Sequence, residues 1–273
     1  MQVVEAHGAR IPIVGFGTMR LKEEAGAQAI LSAIKTGYRH LDTAAHYGNE
    51  REVGEAMRAS GIGREDFFLT TKVRDNNLKA DDFARSLDNS LKALGLPMVD
   101  LLLIHWPNAN VPMAESIGAL NKAKRDGRAR HIGVANFTVA LMDEAMRATK
   151  EPLVTNQVEV HPFLDQRKVS AAARGHGMSI TAYCPIARGR VPGNPVLERI
   201  ATAHGKTAAQ ISLRWLVQQG IIVIPGSGTP ERQKENFAIL DVTLTPAEMA
   251  EIAGLTRPDG RVVNPPQAPK WDV

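Results

Sequence analysis

The chain has 273 residues, is 44% hydrophobic and 23% charged, and carries a formal net charge of +4 at pH 7, which suits an ordinary globular protein of one large or two small domains. No apolar run reaches the length of a membrane span, and Met1 to Arg10 lacks the charged-then-apolar pattern of an export signal. The lone cysteine, Cys184, excludes an internal disulfide and a cysteine-based zinc site, so a cytoplasmic protein is expected.

In chain order, Val3-Val4-Glu5 and Arg10-Ile11-Pro12 around a turn at Gly8 predict a small hairpin. Strands and helices then alternate. A strand at 13–17 precedes a helix at 23–35 closed by Gly37, and a strand at 38–41 precedes a helix at 50–59 closed by Gly61. The same reading gives a strand at 67–72 and a helix at 80–94 closed by Gly95, then a strand at 99–105 and a helix at 114–125 closed by Gly127. A strand at 131–135 with a helix at 139–147, and a strand at 154–160 with a helix at 166–174 closed by Gly175, continue the series. After a strand at 179–183 come two helical stretches, 195–203 and 207–218, then a strand at 221–224 and a helix at 230–239. A last helix starts at Thr245-Pro246, a cap followed by proline at the first helical position. The proline-rich stretch 264–269 reads as a surface loop or strap.

Eight apolar strands, each followed by a helix, match the size of a (β/α)8 barrel of about 250 residues. The expectation is therefore an α/β TIM barrel with an N-terminal hairpin cap and extra helices near the C-terminus, one domain over 1–273. A doubly wound open sheet is the alternative, but Gly15-Phe16-Gly17-Thr18-Met19-Arg20 breaks the Gly-x-Gly-x-x-Gly pattern at Arg20.

In a barrel all strand C-termini share one face. Here those ends carry Asp42, Lys72, His105-Trp106, Asn136, Gln157, Glu159, Tyr183 and Pro225-Gly226-Ser227. Taken singly, Asp42 would be a turn or helix-cap acid and Lys72 a solvated lysine. Together with Tyr47, on the loop after Asp42, they form a cluster suited to moving a proton onto a carbonyl oxygen. Lys72 beside Tyr47 is expected to lower the phenol's pKa, and Asp42 to pair with Lys72. No side chain can donate a hydride, so a cofactor must. His46 reads as a loop histidine and His161 as structural, and no histidine has acids at metal-ligand spacing, so no metal is expected. Cys184 lacks an adjacent base and is read as lining a groove rather than as a nucleophile. Met19, Trp106 and Trp271 are either packing or the wall of a substrate pocket. The basic run from Lys122 to Arg130 is broken by Asp126-Gly127 and holds no aromatics, so no nucleic-acid partner is expected.

The segments Leu41-Asp42-Thr43-Ala44, Tyr47-Gly48-Asn49-Glu50, Thr71-Lys72, Ile104-His105-Trp106-Pro107, Gly133 to Phe137, Asn156 to Pro162 and Thr229 to Phe237 resemble, in order and over almost the whole chain, the signatures of the aldo-keto reductase family. The short connections after His105 and Tyr183, and the ending Ala268-Pro269-Lys270-Trp271-Asp272, look most like its bacterial 2,5-diketo-D-gluconate reductases of the B type. The resemblance implies an NADPH-dependent monomer that reduces carbonyls such as methylglyoxal or keto-sugar acids. Tyr47 would donate the proton, Lys72 and Asp42 support it, and His105 orient the carbonyl. Tyr183 would stack on the nicotinamide, with Asn136 and Gln157 on its carboxamide. Gly17, Thr18 and Met19 would lie near the cofactor, and Ser227, Arg232, Glu235 and Asn236 at its adenosine end. Two positions depart from the family: Ala135 replaces a serine, and Gly226 a lysine that contacts the phosphate-bearing end. The other readings are a general aldehyde reductase using either nucleotide, or a non-catalytic nucleotide-binding barrel. A flavin or Schiff-base barrel suits Lys72 poorly, because Asp42 pairs with it.

Overall fold

The computed structural model describes residues 1–272. An antiparallel hairpin, β1 (Val3–Ala6) and β2 (Ala9–Pro12), precedes eight parallel strands. These are β3 (Gly15–Gly17), β4 (His40–Asp42), β5 (Phe68–Val73), β6 (Val99–Ile104), β7 (Ala129–Ala135), β8 (Leu153–Glu159), β9 (Ser179–Tyr183) and β10 (Ile222–Val223). Each pairs with the next, and the first meets the last: Val14 bridges Val223, Val223 N donates to Ile13 O at 2.9 Å, and Gly17 N donates to Pro225 O at 3.1 Å. The result is the expected barrel. Helices α1 (Glu23–Thr36), α2 (Glu50–Ala59), α3 (Ala80–Leu94), α4 (Met113–Arg125), α5 (Val139–Ala148) and α6 (Arg167–Gly175) fill the crossovers. Two more, α7 (Pro195–His204) and α8 (Ala208–Gln218), separate β9 from β10, and α9 (Pro230–Phe237) and α10 (Pro246–Ala253) follow. No described helix is long and apolar enough to cross a membrane.

Alternation along the strands divides the core in two. Leu69, Leu102, Ile104, Ile132 and Val134 join the helices in the outer shell. Phe68, Leu101, Leu103, Ala135, Val154 and Ile222 pack instead with Ala6, Ala9 and Ile11 of the hairpin. The hairpin thus plugs the floor of the barrel with apolar side chains. A polar layer lies above. Buried His40 contacts Pro12 O through Nδ1 (3.2 Å) and Thr70 Oγ1 through Nε2 (3.3 Å), and Thr155 bonds Thr181 at 3.0 Å. The carbonyl can only accept, so Nδ1 carries the proton and Nε2 accepts from Thr70.

Several boundaries differ from the sequence expectation, three of them for identifiable reasons. β3 and β10 are shorter because at the seam they meet through single bonds rather than a ladder. The stop after α6 is Gly177 (φ +71°), not Gly175, and a Cβ there would lie 2.8 Å from the His7 ring at the hairpin tip. The one acid in β6, Asp100, is 1% exposed and accepts from Leu69 N at 2.9 Å while pairing with Arg64 (2.6 Å) and Arg130 (3.2 Å).

Asp100→Ala strands a buried backbone N–H and removes the partner of both arginines. The expected cost is about 2–4 kcal/mol, read as a lower urea midpoint with an unchanged m-value. A midpoint equal to wild type would refute the assignment.

Candidate active site

The C-terminal ends of the barrel strands converge on Lys72. Its side chain is fully buried, and its Nζ donates to Asp42 Oδ1 at 2.5 Å and to Thr43 O at 2.8 Å. The other carboxylate oxygen of Asp42 accepts from Gln157 Nε2 at 2.7 Å. Register places these groups: Asp42 closes β4, Lys72 sits one residue from the end of β5, and Gln157 faces them from β8. The loop after β4 forms a single tight turn over Ala45–Tyr47, ended by Gly48 in the left-handed region (φ +65°). That turn sets the half-buried Tyr47 ring with its centroid 5.1 Å from Lys72 Nζ and, edge-on, 5.6 Å from the His105 ring. Buried Asn49 braces the turn, accepting from Thr43 Oγ1 (2.9 Å) and donating to Thr18 O (2.8 Å) and Leu21 O (2.7 Å). The structure therefore brings together Asp42, Lys72 and His105 from the strand ends and Tyr47 from the loop after β4.

Protonation states follow from burial. Dehydration pushes the Tyr47 hydroxyl well above its ordinary value, with the charges of Asp42 and Cys184 adding to the rise. This corrects the expectation that Lys72 lowers it: Asp42 already neutralises Lys72 at contact distance, so the cost of dehydrating a phenolate prevails. Burial, then Lys72, His46 and Arg74, hold the His105 imidazole well below its usual range. The site therefore offers a protonated phenol and a neutral imidazole. His46, a loop histidine as expected, lies with its ring 6.3 Å from that of His105 and adds to the lowering.

Beside this cluster, Asn136 adopts φ +63° at the end of β7. Its Nδ2 donates to His105 O at 2.9 Å, and its Oδ1 accepts from the Tyr183 hydroxyl at 2.7 Å. Each side-chain amide still has bonding capacity for a nicotinamide carboxamide: Asn136 a second N–H, and Gln157 its oxygen. Thr18 Oγ1 donates to Asp42 O at 3.0 Å, and Met19 is 45% exposed at the rim. Trp106, next to His105, meets Trp271 of the C-terminal segment at 6.0 Å between rings. Ala135 packs in the inner apolar cluster.

Ser227, Arg232, Glu235 and Asn236 form a separate group on the loop after β10 and on α9. Arg232 and Glu235 are exposed and Asn236 is buried. Arg232 lies in the first turn of α9, where the helix dipole also favours an anion. Gln233, unnoticed in the sequence, fastens this loop by donating to Ala29 O (2.9 Å) and Ser227 O (3.0 Å). Gly226 has a steric reason: a Cβ there would lie 2.4 Å from Gly17 O, so no side chain fits without moving the seam. The open donor of Asn136, the open acceptor of Gln157 and the exposed Arg232 cation fit the amide and phosphate groups of a nicotinamide dinucleotide.

Known proteins resemble this chain over nearly its whole length. Residues 13–257 match the description of the aldo/keto reductase family. The chain is 42% identical to methylglyoxal reductase DkgB of Yersinia pestis over 266 residues, covering 96% of this chain and 99% of that protein. It is 41% identical to its namesake in Escherichia coli O157:H7, with the same coverage. A crystal structure provisionally assigned as a 2,5-diketo-D-gluconic acid reductase B superposes with a TM-score of 0.96 at 52% identity, covering 100% of this chain and 98% of the other.

The low His105 value has a measurable consequence. The unfolded chain takes up a proton below about pH 6.5 that the folded His105 refuses, so this contribution to stability is present above that pH and lost as pH falls towards the folded value. His105→Gln should flatten the acid loss by up to about 1.4 kcal/mol per pH unit, with His40, shifted the same way by burial, retaining its share. Urea unfolding of both proteins between about pH 7 and pH 5.5 tests this. Parallel stability curves would contradict it.

Proposed function

Because the chain belongs to the aldo/keto reductase family and is an oxidoreductase of carbonyl compounds, we propose that it uses NADPH to reduce α-dicarbonyls and keto-sugar acids. Methylglyoxal and 2,5-diketo-D-gluconate are the candidate substrates, supported by the named activities of its relatives. The observation that carries the chemistry is the buried Asp42–Lys72 pair beside Tyr47, with neutral His105 at the edge of the ring.

Asn136, Gln157 and Tyr183 would hold a nicotinamide, which when bound would supply the hydride. His105, uncharged, donates a hydrogen bond to the substrate carbonyl oxygen and fixes its direction. Tyr47 stays protonated because burial favours the neutral phenol, so the acid is loaded at neutral pH. As negative charge builds on the carbonyl oxygen, that oxygen becomes the stronger base and takes the Tyr47 proton. The phenolate left behind faces Lys72, whose charge offsets part of its cost, while Asp42 and Gln157 keep the ammonium from moving. Trp106, Met19 and Trp271 wall the pocket and exclude water.

At the far end Arg232, a planar fork, would hold the 2′-phosphate. The missing lysine at 226 costs a charge-assisted contact, so the preference for NADPH over NADH is modest.

Tyr47→Phe should lower turnover of methylglyoxal by about 10²–10⁴-fold and leave NADPH affinity near wild type. An unaffected rate would show that Tyr47 is not the acid. Arg232→Ala should weaken NADPH binding by about ten- to a hundredfold and NADH binding little, as titration of each nucleotide would read. Equal losses, or tighter NADH binding by wild type, would favour use of both nucleotides.

A further inference from the structure

Glu159, the last residue of β8, is a fully buried carboxylate that the chemistry above does not use. Burying an anion is costly unless donors surround it. Here the donors come chiefly from the far end of the chain. Val262 N donates to its Oε1 at 2.6 Å and Val263 N to its Oε2 at 2.9 Å. His161 completes the shell: its Nδ1 accepts from Phe163 N at 3.3 Å, so its Nε2 carries the proton and donates to Glu159 Oε1 at 2.9 Å.

The C-terminal segment touches the same platform twice more. Arg257 N donates to Phe163 O at 3.1 Å, and a Cβ on Gly260 would lie 1.8 Å from that oxygen, so the approach needs glycine. Beyond the clasp, the segment carries aromatic wall to the site. The Arg261 guanidinium lies 3.9 Å from Glu159 and 3.7 Å from the centroid of the Trp271 ring, which bonds Asn264 Oδ1 at 2.8 Å and meets Trp106. Asp272 ends the run by accepting from Val139 N at the start of α5, at 3.0 Å.

We propose that Glu159 is a positioning residue for substrate affinity: it fastens residues 261–263, and through Arg261 it fixes the Trp271 wall against Trp106. Glu159 touches neither the Asp42–Lys72 pair nor the Arg232 group, so loosening it opens the pocket without disarming the acid or the nucleotide end. The kinetic part rests on the carbonyl-reductase reading; the fastening does not.

The test compares wild type with Glu159→Gln, which replaces one acceptor by a donor facing a backbone N–H, and with Gly260→Ala, which blocks the approach from the strap side. Native-state trypsin cleavage after Arg261 and Lys270 is expected to rise roughly tenfold in both. KM for methylglyoxal is expected to rise at least about fivefold, with kcat and NADPH affinity within about twofold of wild type. In a chain ending at Pro269, which lacks Trp271, adding Glu159→Gln should raise KM no further. Wild-type cleavage and KM in Glu159→Gln would overturn the proposal. So would parallel losses in kcat and NADPH affinity, or multiplying KM effects in the shortened chain. Faster cleavage without carbonyl-dependent NADPH consumption in any of the proteins would leave the fastening standing and reject the functional reading instead.

Discussion

An ammonium group with no exposure to water cannot exist at the centre of a barrel unless its charge is answered at contact distance. Lys72 is that group, and Asp42 is the answer. The pair then makes its own demands. The free oxygen of Asp42 needs a donor, which Gln157 supplies from the far side of the barrel, and a second proton of Lys72 needs an acceptor, which is Thr43 O. Satisfying Thr43 in turn draws in Asn49, and Asn49 ties down the loop after β3. Five elements are thus held in register by the need to bury one charge well, and the turn that carries Tyr47 lies inside that network.

The interior of the barrel is graded from floor to mouth. The hairpin closes one end with Ala9 and Ile11 against Phe68, Leu101 and Leu103. The middle layer is neutral and hydrogen-bonded, with His40 between the hairpin carbonyl and Thr70. Only the top layer carries charge. Such a gradient lets the packing energy of the lower layers support an arrangement at the top that would not be stable alone. It also keeps water from approaching Lys72 from below.

Much of this could be read from residue order. Helices at 50–59 and 80–94 agree with the structure in both bounds, because glycines just beyond them adopt left-handed backbone and apolar spacing marks their buried faces. The site was legible for a related reason: in a parallel barrel, polar residues that end apolar strands must share one face. What was not legible depended on neighbours remote in the chain. The direction of the Tyr47 shift is set by how completely Asp42 cancels Lys72 and by local dehydration, neither of which spacing reveals. Asn49 stood out only as part of a family-like segment, and its role as a brace depends on Thr18 and Leu21, more than twenty residues earlier. Glu159 was visible as a polar strand end, but its two backbone donors lie about a hundred residues away. Gly226 looked like a lost contact, and only the structure shows Gly17 O occupying the space a side chain would need.

That contact between Gly17 and Gly226 also bears on the order in which the protein comes into being. Gly17 ends the first strand of the barrel and Gly226 lies just after the last, about two hundred residues apart in the chain. During synthesis, β3 emerges early and has no second neighbour until β10 leaves the ribosome. Until then it is an open edge. The seam is therefore both the last joint to form and the place where an incomplete chain is most exposed to pairing with the wrong partner.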